Sequence, residues 1–248
     1  MSVCLLTVVM TPQEGRGVFL DQNLFLMKTF TYVALVFGLF VAGFGRIDAA
    51  TPDNRHHDGF YFSFGLGPSF GHIDAKDHYN YISDDNSYKT TYSGNPFAFD
   101  LRIGGALKRD LVVTFDMVGR SMTGPQLETD TGTFTHDDHM FFDEYTYGVG
   151  ITKFFMPYNI FVGTTLGTGI FSYGHDDLSM SNDGNFRYRS KGGFSWLLRA
   201  GKSWYLGRKW GIGVAACYGG TKTSTADANG TEVLNSSNFM GLITVSYQ

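Results

Sequence analysis

Large apolar residues alternate with small or polar residues along most of the chain after residue 58. In the stretch 59–73, GFYFSFGLGPSFGHI, bulky residues occupy one parity, and the other parity is mostly glycine and serine, with Tyr61 as the large exception. Alternation with a period of two indicates a β-strand whose two faces meet different environments. The stretch therefore predicts a first strand.

The same pattern recurs seven more times, which predicts eight strands in all. The later strands lie in the segments PFAFDLRIGGAL, LVVTFDMVGR, EYTYGVGITKFF, IFVGTTLGTGIF, GFSWLLRAGKSW, WGIGVAACYG and FMGLITVSY. Each has the length of a tilted transmembrane β-strand, about ten residues. Short connections alternate with long polar ones. This layout predicts an all-β fold, an eight-stranded antiparallel up-and-down transmembrane β-barrel with short periplasmic turns and long extracellular loops.

The size of the side chains indicates which parity faces outward. An eight-stranded interior is only just wide enough for side chains, so the small parity fits inside and the bulky parity fits hydrocarbon. A soluble lipocalin-like carrier would need the opposite assignment and remains an alternative. The residues predicted to face lipid are Phe60, Phe62, Phe64, Leu66, Phe97, Phe99, Leu101, Ile103, Tyr145, Tyr147, Val149, Ile151, Trp196, Leu198, Ile212, Val214, Ile243 and Val245.

Aromatic residues near the short turns and the C-terminus predict an interfacial girdle at that end of the barrel. These are Tyr158, Trp204, Tyr205, Trp210 and Tyr247. Pro68 does not fit the first strand, because proline cannot donate to the ladder of a closed barrel. We expect a bulge at Pro68 or an early end to regular pairing near the outer rim.

The N-terminal region predicts export. Residues 27–50 combine Lys28, an uncharged apolar run and small residues near Ala50, which is the layout of a cleaved signal peptide. The apolar run is shorter than the roughly 20 residues of a spanning helix. Residues 1–26 are interpreted as an upstream extension absent from the mature protein, residues 51–58 as a polar tail, and residues 59–248 as the barrel domain.

Composition narrows the class further. The 248 residues include 32 Gly, 16% are aromatic and 17% are charged, which favours β-structure over a helical enzyme. The net charge of −4 contains no basic block, so nucleic acid is not an expected partner. Cys4 lies in the segment excluded above, so Cys217 would be a lone thiol without a disulfide.

Together with the signal peptide and the alternating connections, the final strand GLITVSYQ resembles the small outer-membrane β-barrel proteins of the OmpA/OmpX type from Gram-negative bacteria. The resemblance covers residues 59–248. It implies a cell outer membrane location, membrane lipid and lipopolysaccharide as surroundings, a monomer, and no cofactor. The family usually ends in an aromatic residue, whereas this chain ends Tyr247–Gln248. The shared motifs are architectural and imply no catalytic residue.

Five charged residues fall on the parity predicted to face the lumen. An unpaired buried charge is costly, so we expect a network of opposite charges that fills the barrel. A polar lining for a narrow pore is the alternative. The residues are Asp100, Arg102, Asp116, Arg120 and Arg199.

The predicted function is that of a non-enzymatic envelope protein whose polar loops contact an unidentified extracellular partner. The loops carry acidic segments at 83–86, 136–139 and 175–177. Such segments could hold a divalent cation, but solvated loops are favoured and no metal or catalytic site is predicted. The alternative is an enzyme acting on lipid A or peptides at the rim, which needs Ser, His and Asp brought together. The histidines to place are His72, His136, His139 and His175.

Overall fold

The computed structural model describes residues 56–79, 87–129, 132–135, 140–176, 185–226 and 230–247. The predicted extension at 1–26, the predicted signal peptide at 27–50 and the first part of the predicted tail lie outside these residues. In the described part of the chain, no helix is long and apolar enough to cross a membrane.

The described residues form twelve strands. In chain order they are β1 (Phe60–Tyr79), β2 (Ser87–Gly94), β3 (Phe97–Lys108), β4 (Leu111–Thr123), β5 (Gln126–Thr129), β6 (Gly132–Thr135), β7 (Met140–Phe155), β8 (Ile160–Asp176), β9 (Asn185–Arg189), β10 (Gly193–Leu206), β11 (Trp210–Ala226) and β12 (Gly230–Tyr247).

Eight of these strands close into a ring in which every neighbouring pair is antiparallel. The ring runs β1, β3, β4, β7, β8, β10, β11, β12 and returns to β1. The closing ladder is long, from Phe62 opposite Tyr247 to Tyr79 opposite Gly230. Tight turns join β3 to β4, β7 to β8 and β10 to β11. The predicted eight-stranded up-and-down barrel is confirmed.

The long connections contain β-structure that the sequence interpretation treated as polar loop. β2 pairs with β1, β5 with β2 and β6 with β5, while β9 pairs with β8. All ring strands except β3 are also longer than predicted, with 20 residues in β1 and 18 in β12. The wall of the barrel therefore continues past its apolar belt on the long-loop side.

Pro68 interrupts the ladder without ending the strand. Between β1 and β12 the paired residues pass from Leu66–Ile243 to Ser69–Met240 in one register, so there is no bulge. On the other side, the Ser69 backbone N–H donates to the Pro96 carbonyl at 2.8 Å, and the pairing resumes on β2. The expected bulge and early end are both wrong, because Pro68 points outward and the pairing resumes beyond it; on the β12 side, only Gly67 and Pro68 lack a paired residue within the ladder.

Two apolar clusters lie inside the barrel. The larger one is centred on the part nearer the tight turns and includes Tyr61, which is 3% exposed and explains the one bulky residue on the small parity of β1. The second cluster, the apolar cap, lies at the long-loop end. The cap consists of Ile73, Ala75, Met122, Phe142, Phe171 and Leu234, with Tyr92 and Tyr173 packed against it.

Candidate functional site

The outside of the barrel is a belt of large apolar side chains. All of the predicted lipid-facing residues are exposed or half-buried in the structure, and none is buried. Val149 and Ile243 show the extent of the exposure, at 63% and 61%. A continuous apolar exterior around a closed barrel is costly in water and matches hydrocarbon. The soluble carrier would need the opposite assignment of faces, which this barrel does not have.

Four of the five predicted girdle aromatics lie at the tight-turn end on the exterior. Tyr158 and Trp204 are exposed, and the ring of Trp210 meets that of Tyr247 edge-on at 5.2 Å. Tyr205 differs, because it falls on the inward parity of β10. Its ring lies 6.2 Å from that of His57 at the mouth of the barrel. The assignment of Tyr205 to the lipid interface was therefore wrong.

Four of the predicted lumen charges form one buried group, the lower charge cluster, made of Asp100, Arg102, Asp116 and Arg199. Arg199 Nη1 lies 2.7 Å from Asp116 Oδ2, and its Nη2 lies 3.6 Å from Asp100 Oδ1. Arg102 Nε lies 3.4 Å from the other oxygen of Asp100. The formal charges cancel, so no net charge is buried, although Asp100 Oδ1 and four guanidinium nitrogens of the two arginines have no hydrogen-bond partner among the described residues.

Neutral side chains supply further contacts to this cluster. Asp116 also accepts hydrogen bonds from the hydroxyls of Thr114 and Thr165. Arg102 donates to Ser63 Oγ at 2.9 Å, and its guanidinium lies 5.6 Å from the ring centres of both Tyr61 and Phe161. Asp116 is on β4, whereas Arg199 is on β10, so the cluster links strands across the barrel axis.

The fifth predicted charge, Arg120, lies apart from the cluster and forms an ion pair with Glu144. Glu144 also accepts hydrogen bonds from Ser236 Oγ at 2.9 Å and Asn238 Nδ2 at 3.4 Å. Glu144 was missed because it stands at the start of the predicted strand, although its parity with Thr146 already pointed inward. The ion pair joins the neighbouring strands β4 and β7, and the hydrogen bonds of Glu144 connect β7 with β12 on the opposite side of the ring.

Elsewhere in the described interior, the barrel is filled by hydrogen-bonded hydroxyl groups and by the apolar cap. The Thr221 hydroxyl donates to Ser195 Oγ at 2.8 Å, and Ser195 Oγ lies 2.8 Å from Thr146 Oγ1. Above the Arg120 pair, the Phe142 and Phe171 rings lie 5.9 Å apart within the cap. Side chains from opposite strands thus meet across the axis, which describes a packed interior rather than a wide channel.

The end of the polar tail enters the tight-turn mouth of the barrel. His57 is 2% exposed and stacks on Phe154 with ring centres 3.6 Å apart. One ring nitrogen lies 2.9 Å from Asn159 Oδ1. The carboxylate of Asp110 accepts from the His57 backbone N–H at 3.0 Å and lies 2.8 Å from the His56 ring. We call these contacts of residues 56 and 57 the tail plug.

The pKa values in the tail plug depart from their usual ranges in ways that matter at acidic pH. Burial lowers the pKa of His57, and the hydrogen bond with Asn159 and the charge of Asp110 oppose this only in part. At Asp110, burial acts to raise the pKa, but the contacts with His56 and the His57 backbone outweigh it, so the net pKa is lowered. The plug therefore prefers neutral His57 and charged Asp110.

The histidines required by the enzyme alternative are only partly described. His72 lies on the outward face of β1, opposite Ser237 of β12 and Ser93 of β2. Asp74, two residues further along, is instead engaged by Thr91 at 2.7 Å and Lys89 at 3.5 Å. His136, His139 and the side chain of His175 lie outside the described part of the chain, as do the acidic segments at 83–86 and 136–139. Among the described residues, no group of three or more His, Cys, Asp and Glu could hold a metal ion.

Neither protein-family models nor curated proteins yield a match to this sequence. Solved structures match it by fold. The crystal structure of Neisserial surface protein A is 12% identical, with 78% of this chain and 99% of that chain covered, at a TM-score of 0.44. The outer membrane protein OprG from Pseudomonas aeruginosa is 11% identical over 77% and 96%, at 0.49. The outer membrane protease OmpT from Escherichia coli is 10% identical over 79% and 99%, at 0.41.

At such identities the likeness concerns the fold alone. The deciding observation is the closed eight-stranded ring with an apolar belt and tight turns at one end. The chain has the fold of an outer-membrane β-barrel protein. The predicted resemblance to the small outer-membrane barrels and the predicted outer-membrane location are confirmed on that basis.

Proposed function

We propose that the protein is a non-enzymatic envelope protein in which the barrel is a rigid anchor and the long-loop end is an extracellular contact surface. The observation that carries this proposal is the cross-barrel packing. The Arg199–Asp116 and Glu144–Ser236 contacts fasten strands that are not neighbours in the ring. A filled barrel is stiff and leaves little room for transport. The surface left to contact a partner is therefore the long-loop end, beyond the apolar belt.

The β-structure beyond the belt supports the same proposal. β2, β5 and β6 extend the sheet of β1 outward as a continuous antiparallel ladder, with Thr90–Thr129 and Gln126–Thr135 among the pairs. Ladder hydrogen bonds hold polar side chains in fixed register, which a contact surface requires. We define the outer sheet as these three strands.

The first test addresses the membrane anchor. Cells expressing the chain are fractionated, and the protein is run on a gel with and without boiling. We expect recovery in the outer-membrane fraction and a different mobility when the sample is not boiled, because the closed ladder resists the detergent. Recovery as a soluble protein with one mobility would overturn the proposal.

The second test addresses the contact surface. A deletion of residues 87–94 and 126–135 removes the outer sheet, and a matched variant removes only the exposed charges Lys89 and Glu128. We expect both barrels to retain the mobility shift on unboiled gels, and we expect only the deletion to abolish the attachment of whole cells to host-cell or matrix surfaces. Unchanged attachment by the deletion variant would contradict a role for this surface.

A second candidate function is lipid hydrolysis on the outer face of the barrel. The placement of His72 between Ser237 and Ser93 favours it, because a histidine beside a serine is the minimum of a nucleophile and a base. The test is release of fatty acid from lipid A or phospholipid by the refolded barrel. Activity that is lost in both His72→Ala and Ser237→Ala, but retained in the neighbouring Asn235→Ala, would establish an enzyme; no activity in the parent would exclude it for these substrates.

A further inference from the structure

Cationic side chains surround the tight-turn end of the barrel in two groups. The first, the β4 patch, consists of Lys108, Arg109 and Lys153. Lys108 of β3 pairs with Leu111 on one side of β4, and Lys153 of β7 pairs with Leu111 on the other, so the three cations surround the beginning of β4. All three are exposed. Lys153 Nζ also donates to the Arg109 carbonyl at 3.4 Å, which turns its side chain toward the rim.

The second group, the β10 patch, consists of Lys202, Arg208 and Lys209. Lys202 lies near the end of β10, with its Nζ 5.7 Å from the centre of the Trp204 ring, and Lys209 lies 5.5 Å from the Tyr247 ring. Arg208 and Lys209 form the exposed turn that follows β10. Lys202 and Lys209 therefore lie over the rings of interfacial aromatic residues.

Among the described residues, no acidic side chain neutralises either patch. In the described part of the chain, none of the six cations forms an ion pair. The described acids at this end are Asp58 and Asp110, and Asp110 is engaged by His56 and the His57 backbone. The positive charge at the rim is therefore available to a ligand outside the chain.

The lipid belt ends where the patches begin. Leu107 is 72% exposed beside the β3–β4 turn, and Tyr158 is 70% exposed in the β7–β8 turn. An apolar surface that ends in amphipathic aromatics and then in unpaired cations has the profile of the boundary between acyl chains and head groups. The partner that matches both parts at once is an amphiphile with an anionic head group.

We propose that the β4 and β10 patches bind the head groups of anionic glycerophospholipids, such as phosphatidylglycerol and cardiolipin, in the periplasmic leaflet. This inference rests on the membrane anchor proposed above, because it needs the tight turns at the periplasmic face. Each patch offers three cationic side chains, each with several N–H donors, to a phosphate at the level of the belt edge. Charge near an anionic surface contributes about 1 kcal/mol per Lys or Arg, or roughly a five-fold change in binding constant.

The test uses Trp204 as a reporter at the β10 patch. The full barrel with Trp196→Phe and Trp210→Phe is folded into phosphatidylcholine vesicles that contain brominated phosphatidylglycerol or brominated phosphatidylcholine. Bromine quenches the tryptophan only when the lipid occupies the adjacent site. We expect brominated phosphatidylglycerol to be preferred at least about five-fold at low salt, with the preference reduced in 0.5 M salt because the site is at the surface.

Two triple variants separate the site from overall charge. Lys202→Gln, Arg208→Gln and Lys209→Gln should reduce the preference to about one. The matched control, Lys76→Gln, Lys89→Gln and Lys222→Gln, removes the same charge at the long-loop end and should retain the preference. Both variants are first shown to be folded by their mobility on unboiled gels. If the triple variant of the β10 patch does not fold, Lys202→Gln alone replaces it.

The outcomes distinguish this inference from the proposed anchor. Equal quenching by the two brominated lipids, or equal loss of preference in both triple variants, overturns the phospholipid site while leaving the anchor in place. The absence of quenching by either lipid means that the barrel has not inserted, which contradicts the anchor itself.

Discussion

Replacement of Asp116 by asparagine should strongly destabilise the barrel. The carboxylate is fully buried and accepts hydrogen bonds from Arg199, Thr114 and Thr165. Asparagine keeps the size of the side chain but loses the charge, and its amide nitrogen cannot accept a hydrogen bond. Arg199 would then depend on Asp100, whose nearest oxygen is 3.6 Å away.

The size of the effect follows from these contacts. Loss of a hydrogen bond to a charged group costs about 1.5–3 kcal/mol, and one hydroxyl left without its acceptor adds about 1 kcal/mol. Removal of one partner from a buried ion pair lowers the free energy of unfolding by about 3–5 kcal/mol in total. We therefore expect the free energy of unfolding to fall by about 3–5 kcal/mol.

The assay is urea unfolding of the barrel in lipid vesicles, followed by tryptophan fluorescence and by mobility on unboiled gels. The matched control is Glu128→Gln, which removes one negative charge from an exposed position on β5 and should change the free energy by less than about 0.5 kcal/mol. A second variant combines Asp116→Asn with Arg199→Met. Because it leaves the Asp100–Arg102 pair balanced, we expect it to recover about 2 kcal/mol relative to Asp116→Asn alone.

Two results would refute this reasoning. If Asp116→Asn cost no more than Glu128→Gln, the buried cluster would contribute nothing to stability. If the cost of the double variant were the sum of the costs of Asp116→Asn and Arg199→Met, the two side chains would not interact energetically.

Three further predictions follow from the interior and the tail plug. Gly150→Ala should destabilise the barrel by about 1–3 kcal/mol in the same urea assay, because a Cβ there would collide with the Asp116 carboxylate, whereas Gly241→Ala, with open space around it, should have little effect. Phe142→Ala in the apolar cap should cost about 3–5 kcal/mol, and a loss below 1 kcal/mol would show that the cap is not packed as described. Lowering the pH through 6.5 should release the tail, because His57 binds a proton more readily in the released tail than in the plug, where burial lowers its pKa. A second loss of tail binding is expected below 3.8, because Asp110 has a lowered pKa in the plug and becomes protonated there. Hydrogen–deuterium exchange at the His57 backbone N–H, which donates to Asp110 in the plug, measures this release once corrected for the intrinsic pH dependence of exchange. His57→Phe should remove the step near 6.5, and a step that persists in that variant would contradict the assignment.

The alternation of side-chain size was sufficient to predict the ring, because every strand of a closed barrel places bulky apolar residues outside and small residues inside. Phe60, Ile103 and Ile243 faced outward as expected because hydrocarbon accepts any bulky apolar residue, wherever the neighbouring strands lie. The outer strands β2 and β5 were missed because their composition is polar on both faces, so no apolar parity marks them.

The charged interior shows where local pattern stops being informative. The inward parity of Asp100, Arg102, Asp116, Arg120 and Arg199 can be read along each strand. Which acid contacts which base cannot be inferred along one strand: apart from Asp100 and Arg102 on β3, the partners lie on different strands, and their heights depend on the stagger of the ring. That stagger joins Arg120 to Glu144 and leaves it apart from the other four.

By itself the sequence determined the class of fold, the number of ring strands, the outward face and the membrane environment, because each depends only on the order of apolar and small residues along one strand. The tertiary structure alone decided the pairing of the buried charges, the entry of His57 into the tight-turn mouth and the gathering of six cations around it. These depend on contacts between segments separated by tens to more than a hundred residues, and only the closure of the ring brings such segments together.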